Sequence, residues 1–239
     1  MFERIGYGDH PSQFGELTRA DGTARGVVVV IHGGFWKAAY DLSLGRPLAV
    51  DLAAHGWTAW NLEYRRVGDG GGVPATFDDV AAGIDALADV EGLELARVVT
   101  LGHSAGGHLA AWAAARARFP RWRPERVPVT AVVTQAGVLD LAGAHEAGLG
   151  SAAVAAFAGP PGPAYDELDP ARQLPLDVPV YAVHGTADDL VPPTQSREYV
   201  ARTRRAGGEA ELVELAGADH FTLIDPTSDA WRTTRGLLR

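Results

Sequence analysis

Six short, largely apolar runs punctuate the chain: residues 26–31 (GVVVVI), 57–62 (WTAWNL), 97–101 (RVVTL), 129–134 (VTAVVT), 178–183 (VPVYAV) and 210–215 (AELVEL). Each has the length of a strand, and runs such as VVVVI show no polar alternation. That pattern is expected where helices cover both faces of a parallel sheet. Residues 2–7 and 13–20 are weaker runs that would add two antiparallel edge strands.

Helix-length segments separate the runs. Residues 44–55 set Leu44, Leu48, Leu52 and His55 near one face, with Gly56 as a stop. Residues 77–90 carry Val80, Ile84, Leu87 and Ala88 at helical spacing behind a candidate cap at Thr76. Residues 105–119 are alanine-rich and end before Pro120, and 194–205 are mostly polar and precede Gly207-Gly208. Strand and helix alternating in this way predict a doubly wound, mostly parallel α/β sheet of about eight strands. Residues 141–175, rich in Ala, Gly and Pro, break the rhythm. They are too many for a plain connection and read as a flexible insertion or a lid with short helices, one piece covering 151–157. No repeat or linker divides the chain, so residues 1–239 are expected to form one domain.

Composition narrows the chemistry. Apolar residues make up 46% of the chain, enough for a large core. A formal net charge of −9 argues against electrostatic capture of nucleic acid or an anionic membrane. The absence of cysteine excludes disulfides, zinc–thiolate sites and a cysteine nucleophile. The first residues carry Glu3 and Arg4 with no apolar stretch behind them, unlike a secretory leader, and no run approaches membrane-spanning length. A soluble cytoplasmic protein is the expectation. The single lysine, Lys37, among many arginines is a genomic bias without chemical content.

The strongest local signal is Gly102-His103-Ser104-Ala105-Gly106 between run 97–101 and the alanine-rich segment. It fits G-x-S-x-G, a tight strand-to-helix turn that pushes the serine out above the sheet and presents the next N–H to the same space. A second signal, His32-Gly33-Gly34-Phe35-Trp36, follows the first long run. Glycine there lets backbone N–H groups approach a substrate, so Gly34, Phe35 and Ala105 are candidates for an oxyanion hole. Two more loops lie beyond later strands: His184-Gly185-Thr186-Ala187-Asp188-Asp189 after run 178–183, and Gly217-Ala218-Asp219-His220-Phe221 after run 210–215. Serine, acid and histidine thus occur in the order used by α/β-hydrolases, each at the strand edge where open α/β sheets carry their sites. A carboxylate on the His220 ring would fix its tautomer and stabilise the imidazolium formed as Ser104 loses its proton.

On these motifs the chain resembles α/β-hydrolases, and among them the small esterases and kynurenine formamidase-like arylformamidases with an HGGxW oxyanion motif, here HGGFW at 32–36. The resemblance covers residues 26–221. It implies Ser104 as nucleophile and His220 as base, and it assigns the acid in HGTADDLVP to the first aspartate, Asp188, over Asp189. Residues 141–175 would then be a short cap.

Other residues have plainer readings. His32 is expected to strut the loop, His103 and His108 to support packing, and His184 to hold the acid loop. Tyr64-Arg65-Arg66 could line the mouth, with surface arginine the safer reading. Trp36, Phe157 and Phe221 are candidates for an apolar acyl or aryl pocket. No histidine pair has H-x-x-x-H spacing, and no dinucleotide or P-loop fingerprint occurs, so neither metal nor cofactor is expected. The expected partner is a small ester or amide. Ester hydrolysis leads, an arylformamidase is the alternative, and a peptidase or a non-catalytic hydrolase-shaped binding protein trails.

Overall fold

The computed structural model describes residues 2–238. One eight-stranded sheet runs in the order β1 (Glu3–Gly6), β2 (Phe14–Thr18), β4 (Thr58–Leu62), β3 (Val27–Ile31), β5 (Val98–His103), β6 (Ala131–Gln135), β7 (Val180–Gly185), β8 (Ala210–Leu215). Strands β3 to β8 are parallel, and the hairpin β1–β2 adds an antiparallel edge against β4. All six apolar runs and both weaker ones are strands.

The reason for the unbroken apolar pattern is visible in β3. Val27, Val29 and Ile31 enter one buried cluster with Phe77, Val80, Leu109 and Trp112. Val28 and Val30 enter another with Leu48, Leu52, Trp57 and Trp231. Successive side chains point to opposite faces, so a strand between two helical layers is covered on both and in β3 is apolar at every position. Helices α2 (Ala75–Asp85) and α3 (Ala105–Ala113) supply the first layer, and α1 (Arg46–Ala54) and α8 (Asp229–Gly236) the second.

Several helical expectations need correction. His55 lies beyond the end of α1 and is exposed, so the buried stripe is Leu48 and Leu52. Thr76 is inside α2 and does not cap it: its hydroxyl donates to Arg65 O and accepts from Gly72 N. Beyond Asp85 the chain tightens into a 3₁₀ turn (Ala86–Asp89), whose narrower winding carries Ala88 to the surface while Leu87 stays buried. Helix α3 stops at Ala113 because the buried Arg116 guanidinium takes the Ala113 carbonyl at 2.9 Å and Val127 O at 2.6 Å.

Residues 141–175 contain helices α4 (Leu141–Glu146), α5 (Leu149–Ala158) and α6 (Tyr165–Leu168). The short helices expected in this stretch are present. Leu141, Ala144, Phe157 and Tyr165 are buried in the same cluster as α2 and α3. The predicted piece 151–157 is helical only in part, since Gly150, Ser151 and Ala152 have left-handed backbone. The polar helix α7 (Thr194–Arg205) matches its expected bounds and packs on β7 and β8. Among the described residues no helix is long and apolar enough to cross a membrane.

Glycine packing presses the β5–α3 turn onto β3. A Cβ on Gly106 would lie 2.0 Å from Ile31 O, and one on Gly102 would lie 2.0 Å from Gly106 O. Both obstacles are backbone, which cannot swing aside. Gly106→Ala is therefore expected to lower the urea unfolding free energy by at least about 2 kcal/mol. Gly236→Ala, with nothing within 4 Å, should be neutral or slightly stabilising.

Candidate active site

Ser104 occupies the turn between β5 and α3 with φ 56° and ψ −120°. A non-glycine residue with such backbone costs on the order of 1–3 kcal/mol and persists only when its neighbours fix it. Here they do. Ser104 N–H donates to Gln135 O at 2.8 Å, and Ser104 O accepts from Gly107 N at 2.9 Å and Val138 N at 3.3 Å. The same packing brings the loop after β3 alongside, since a Cβ on Gly33 would stand 3.0 Å from Ser104 Cβ. Gly34, Phe35 and Trp36 follow with φ of 106°, 57° and 55°. The N–H groups of Gly34, Phe35 and Ala105 donate to no acceptor among the described residues. They are donors held near Ser104 without a partner of their own.

Beyond β7 and β8 the two other loops meet. Ala187 N–H donates to Ala218 O at 3.0 Å and Gly217 N–H to Thr186 Oγ1 at 2.9 Å. This places His220 Nδ1 2.6 Å from Asp188 Oδ2. Asp188 Oδ1 accepts from Leu190 N and Val191 N, both at 2.9 Å, and His184 Nε2 approaches Oδ2 at 3.4 Å. Burial alone would raise the Asp188 carboxyl. Hydrogen bonds from His184, His220 and Val191 N–H outweigh it and hold the group well below the usual carboxylate range. Asp189 is exposed and does not reach the ring. With Nδ1–H given to Asp188, a neutral His220 ring keeps the lone pair on Nε2.

The supporting histidines sit as their positions suggested. His184 Nε2 donates to Val191 O at 2.9 Å and so shapes the acid loop. His103 Nε2 donates to the His220 carbonyl at 2.9 Å, with ring centroids 4.4 Å apart. Burial, and then the proximity of His220, push His103 down to about 3. Burial likewise pushes His108 down to about 4, although its Nε2 donates to Leu168 O.

Two readings from sequence fail. The arginines after β4 neither line a mouth nor lie free on the surface. Arg65 pairs with Asp79 at 2.7 Å, and Arg66 is buried, bonded to Tyr40 O at 2.6 Å and to Asp69 at 3.1 Å. Trp36 and Phe157 do not border open space either. They form one buried stack, centroids 4.6 Å apart and 6° from parallel, enclosed by Phe77 and His108. The left-handed turn at Phe35–Trp36 directs the indole inward. Phe221 alone of the three is exposed, edge-on to His220 at 5.4 Å. Sequence reading missed Glu63, which is buried against His32 at 3.0 Å. Its one signal was an acid directly after a strand buried at every residue.

This sheet, with its strand-borne serine turn and the loops gathered at one edge, defines the α/β-hydrolase fold. The chain belongs to the BD-FAE family, whose model matches residues 17–202. It is 27% identical over 244 residues to Esterase LipC of Mycobacterium tuberculosis, covering 93% of this chain, and it spans 60% of that curated relative's length. Similar solved structures include Esterase B of Lactobacillus rhamnosis, with a TM-score of 0.86 at 21% identity over 100% of this chain and 84% of that one. Another is esterase Est2 of the planctomycete Thermogutta terrifontis, with a TM-score of 0.78 at 23% identity over 99% and 89%.

The buried His103 and His108 rings make stability depend on pH. Both are neutral in the folded protein, whereas an unfolded histidine titrates near 6.5. Below about 6.5 the unfolded chain takes up protons that the folded chain refuses, so stability falls with pH by about 1.4 kcal/mol per unit per ring until the folded values are reached. Asp188 acts lower, because a depressed carboxyl keeps its stabilisation above about 3.9 and loses it as pH falls further. Urea unfolding of wild type and His108→Gln at pH 7.0, 6.0 and 5.0 should show the variant's slope against pH smaller by about one ring's share. Equal slopes would contradict the neutral, buried His108.

Proposed function

We propose that this protein is a serine hydrolase that cleaves small carboxylic esters through an acyl-enzyme. The observation that carries the reading is Ser104 in a strained turn against the Gly33 backbone, next to His103, whose ring lies 4.4 Å from a His220 ring bound to buried Asp188. In this reading His220 Nε2 takes the Ser104 proton as Oγ attacks the ester carbonyl. The Gly34, Phe35 and Ala105 N–H groups receive the oxyanion, and the imidazolium, steadied by Asp188, protonates the departing alkoxide. Water then attacks the acyl group with His220 again as base, and the acid leaves. Similar proteins bearing the name esterase support the ester over the amide. A fluorophosphonate adduct should form on Ser104 alone, and Ser104→Ala should abolish turnover of p-nitrophenyl butyrate. An adduct on another serine would overturn the assignment.

The acid role follows from burial and reach. Asp188→Asn should lower kcat by roughly 10⁴, as for the buried acid of a serine-protease triad, and Asp189→Asn should cost far less.

Residues 141–175 are proposed as a cap that limits the acyl group. Gly150 rests on the Phe35 ring, where a Cβ would stand 2.4 Å from Cδ1, and Phe157 is stacked on Trp36. The cap is thus packed against the oxyanion loop and leaves that side little room. The related esterase Est2 has been solved with butyrate bound, which accords with a short acyl chain. Each buried CH₂ is worth about 0.8 kcal/mol, so an open groove would favour longer chains steadily. A closed one should give p-nitrophenyl butyrate at least about a tenfold higher kcat/KM than octanoate, or ~1.4 kcal/mol of discrimination. Octanoate turned over as well would reject the cap's role. N-formylkynurenine preferred to butyrate would redirect the reading to an arylformamidase.

A further inference from the structure

The loop after β3 is fixed at both ends by one carboxylate. Glu63 Oε1 faces His32 Nε2 at 3.0 Å where the loop begins, and Oε2 accepts the Leu42 N–H at 3.0 Å where it ends. Tyr64 N–H donates to Oε1 at 2.9 Å, and the Arg66 guanidinium lies 3.2 Å from it. Leu42 N–H, Tyr64 N–H and the Arg66 guanidinium all address Glu63 independently of the ring, and beside that cation it stands as a carboxylate, which only accepts. The other ring nitrogen of His32, Nδ1, lies 2.8 Å from Gly33 O, a carbonyl that can only accept. For both bonds to exist, each ring nitrogen must carry a hydrogen.

We infer that His32 is a buried imidazolium locked by Glu63, and that its charge strengthens the Gly34 N–H as a donor through the Gly33 carbonyl. The Gly33 carbonyl and the Gly34 N–H belong to one trans peptide group and point in opposite directions. A charged donor on the carbonyl withdraws electron density from the amide nitrogen and sharpens the N–H at the far end. The local charges agree. Arg66 is shared between Glu63 and Asp69, with His10 Nε2 3.9 Å from Asp69 on the outer side, so Glu63 does not have the guanidinium to itself and a protonated His32 is a second cation against it. Tyr64, stacked on His32 at 4.5 Å with its hydroxyl donating to His32 O, adds no charge, since burial pushes its phenol far up. Asp41 adjoins the group from the exposed surface and bonds Ser43 N. Glu63 is in these terms a positioning residue that acts through His32.

The step to Gly34 rests on the oxyanion role proposed above, whereas the ring's protonation does not. The ring is tested directly by the side-chain ¹H–¹⁵N spectrum of labelled wild-type protein at pH 7.5, with His32→Gln for assignment. Two ring N–H signals are expected for His32, and a single one overturns the imidazolium. In Glu63→Gln the ring should fall to one N–H, and kcat for p-nitrophenyl acetate should drop about ten- to a hundredfold with KM within about threefold. Glu63→Asp, which keeps the charge, should retain both signals and most of kcat. A folded Glu63→Gln that loses the second proton yet keeps full kcat overturns the link to Gly34. Turnover surviving in Ser104→Ala would overturn the hydrolase reading instead and leave the spectrum as the test of the ring. If Glu63→Gln does not fold, the wild-type spectrum still decides.

Discussion

The backbone at Gly106 stands so near the Ile31 and His32 carbonyls that a single added carbon would lie 2.0 Å from one and 2.5 Å from the other. That approach determines where everything else can be. It draws the end of β3 and the start of α3 into one plane, so the loop carrying Gly33 and Gly34 meets Ser104 without any intervening side chain. It also explains how a strained serine is kept. The turn cannot relax into an ordinary helix start without separating from β3, and Ser104 N–H and C=O are already engaged by β6 and the chain just beyond it. The strain is held by the sheet and not by the loop itself, which makes the position reproducible.

Much of this was legible because the sheet imposes a simple rule. A strand buried on both faces is mostly apolar, so β3 to β7 declare themselves, while the edge strand β8 keeps exposed glutamates between its apolar residues, and the C-terminal ends mark where polar loops collect. Ser104, Asp188 and His220 stood out as candidates from that edge and from their order, while the choice of Asp188 over Asp189 came from resemblance. The geometry gives that choice a reason, since only Asp188 is turned inward onto the ring. What escaped reading was where single side chains go. Ala88 was assigned to a face by a period of 3.6, but the chain there winds with three residues per turn. Arg66 looked like surface because two of its partners, Ser12 and Tyr40, reach it from distant parts of the sequence and close over it together with the nearby Asp69.

Trp36 and Phe157 teach a related lesson. An aromatic beside an oxyanion glycine suggests a pocket wall, and one in a cap suggests a lid. Neither property says which way the ring points. The left-handed backbone at Phe35 and Trp36 sends one ring outward toward Gly150 and the other into the core, where it meets Phe157. Adjacent aromatics thus serve opposite purposes. The segment 141–175 is anchored by the one that a pocket reading would have assigned to substrate.

Two buried histidine–carboxylate pairs lie on loops that touch the Ser104 turn, one through Gly33 and one through His103, and the difference between them lies in the second nitrogen. His220 gives Nδ1–H to Asp188 at 2.6 Å, and no protein acceptor among the described residues claims its Nε2. His32 gives Nε2–H to Glu63 at 3.0 Å, but its Nδ1 faces the Gly33 carbonyl. The same two functional groups are therefore set for different tasks. A ring with one free lone pair can accept a proton and return it, so it suits the side of the serine where protons move. A ring with both nitrogens donating has nothing to accept with, and its charge can only act as a fixed field on the groups it touches. On the proposed mechanism the first pair changes charge during the reaction and the second does not. A fixed cation behind the Gly33–Gly34 peptide would aid the oxyanion at the moment the mobile one forms on His220, and neither pair would have to reorganise to do so.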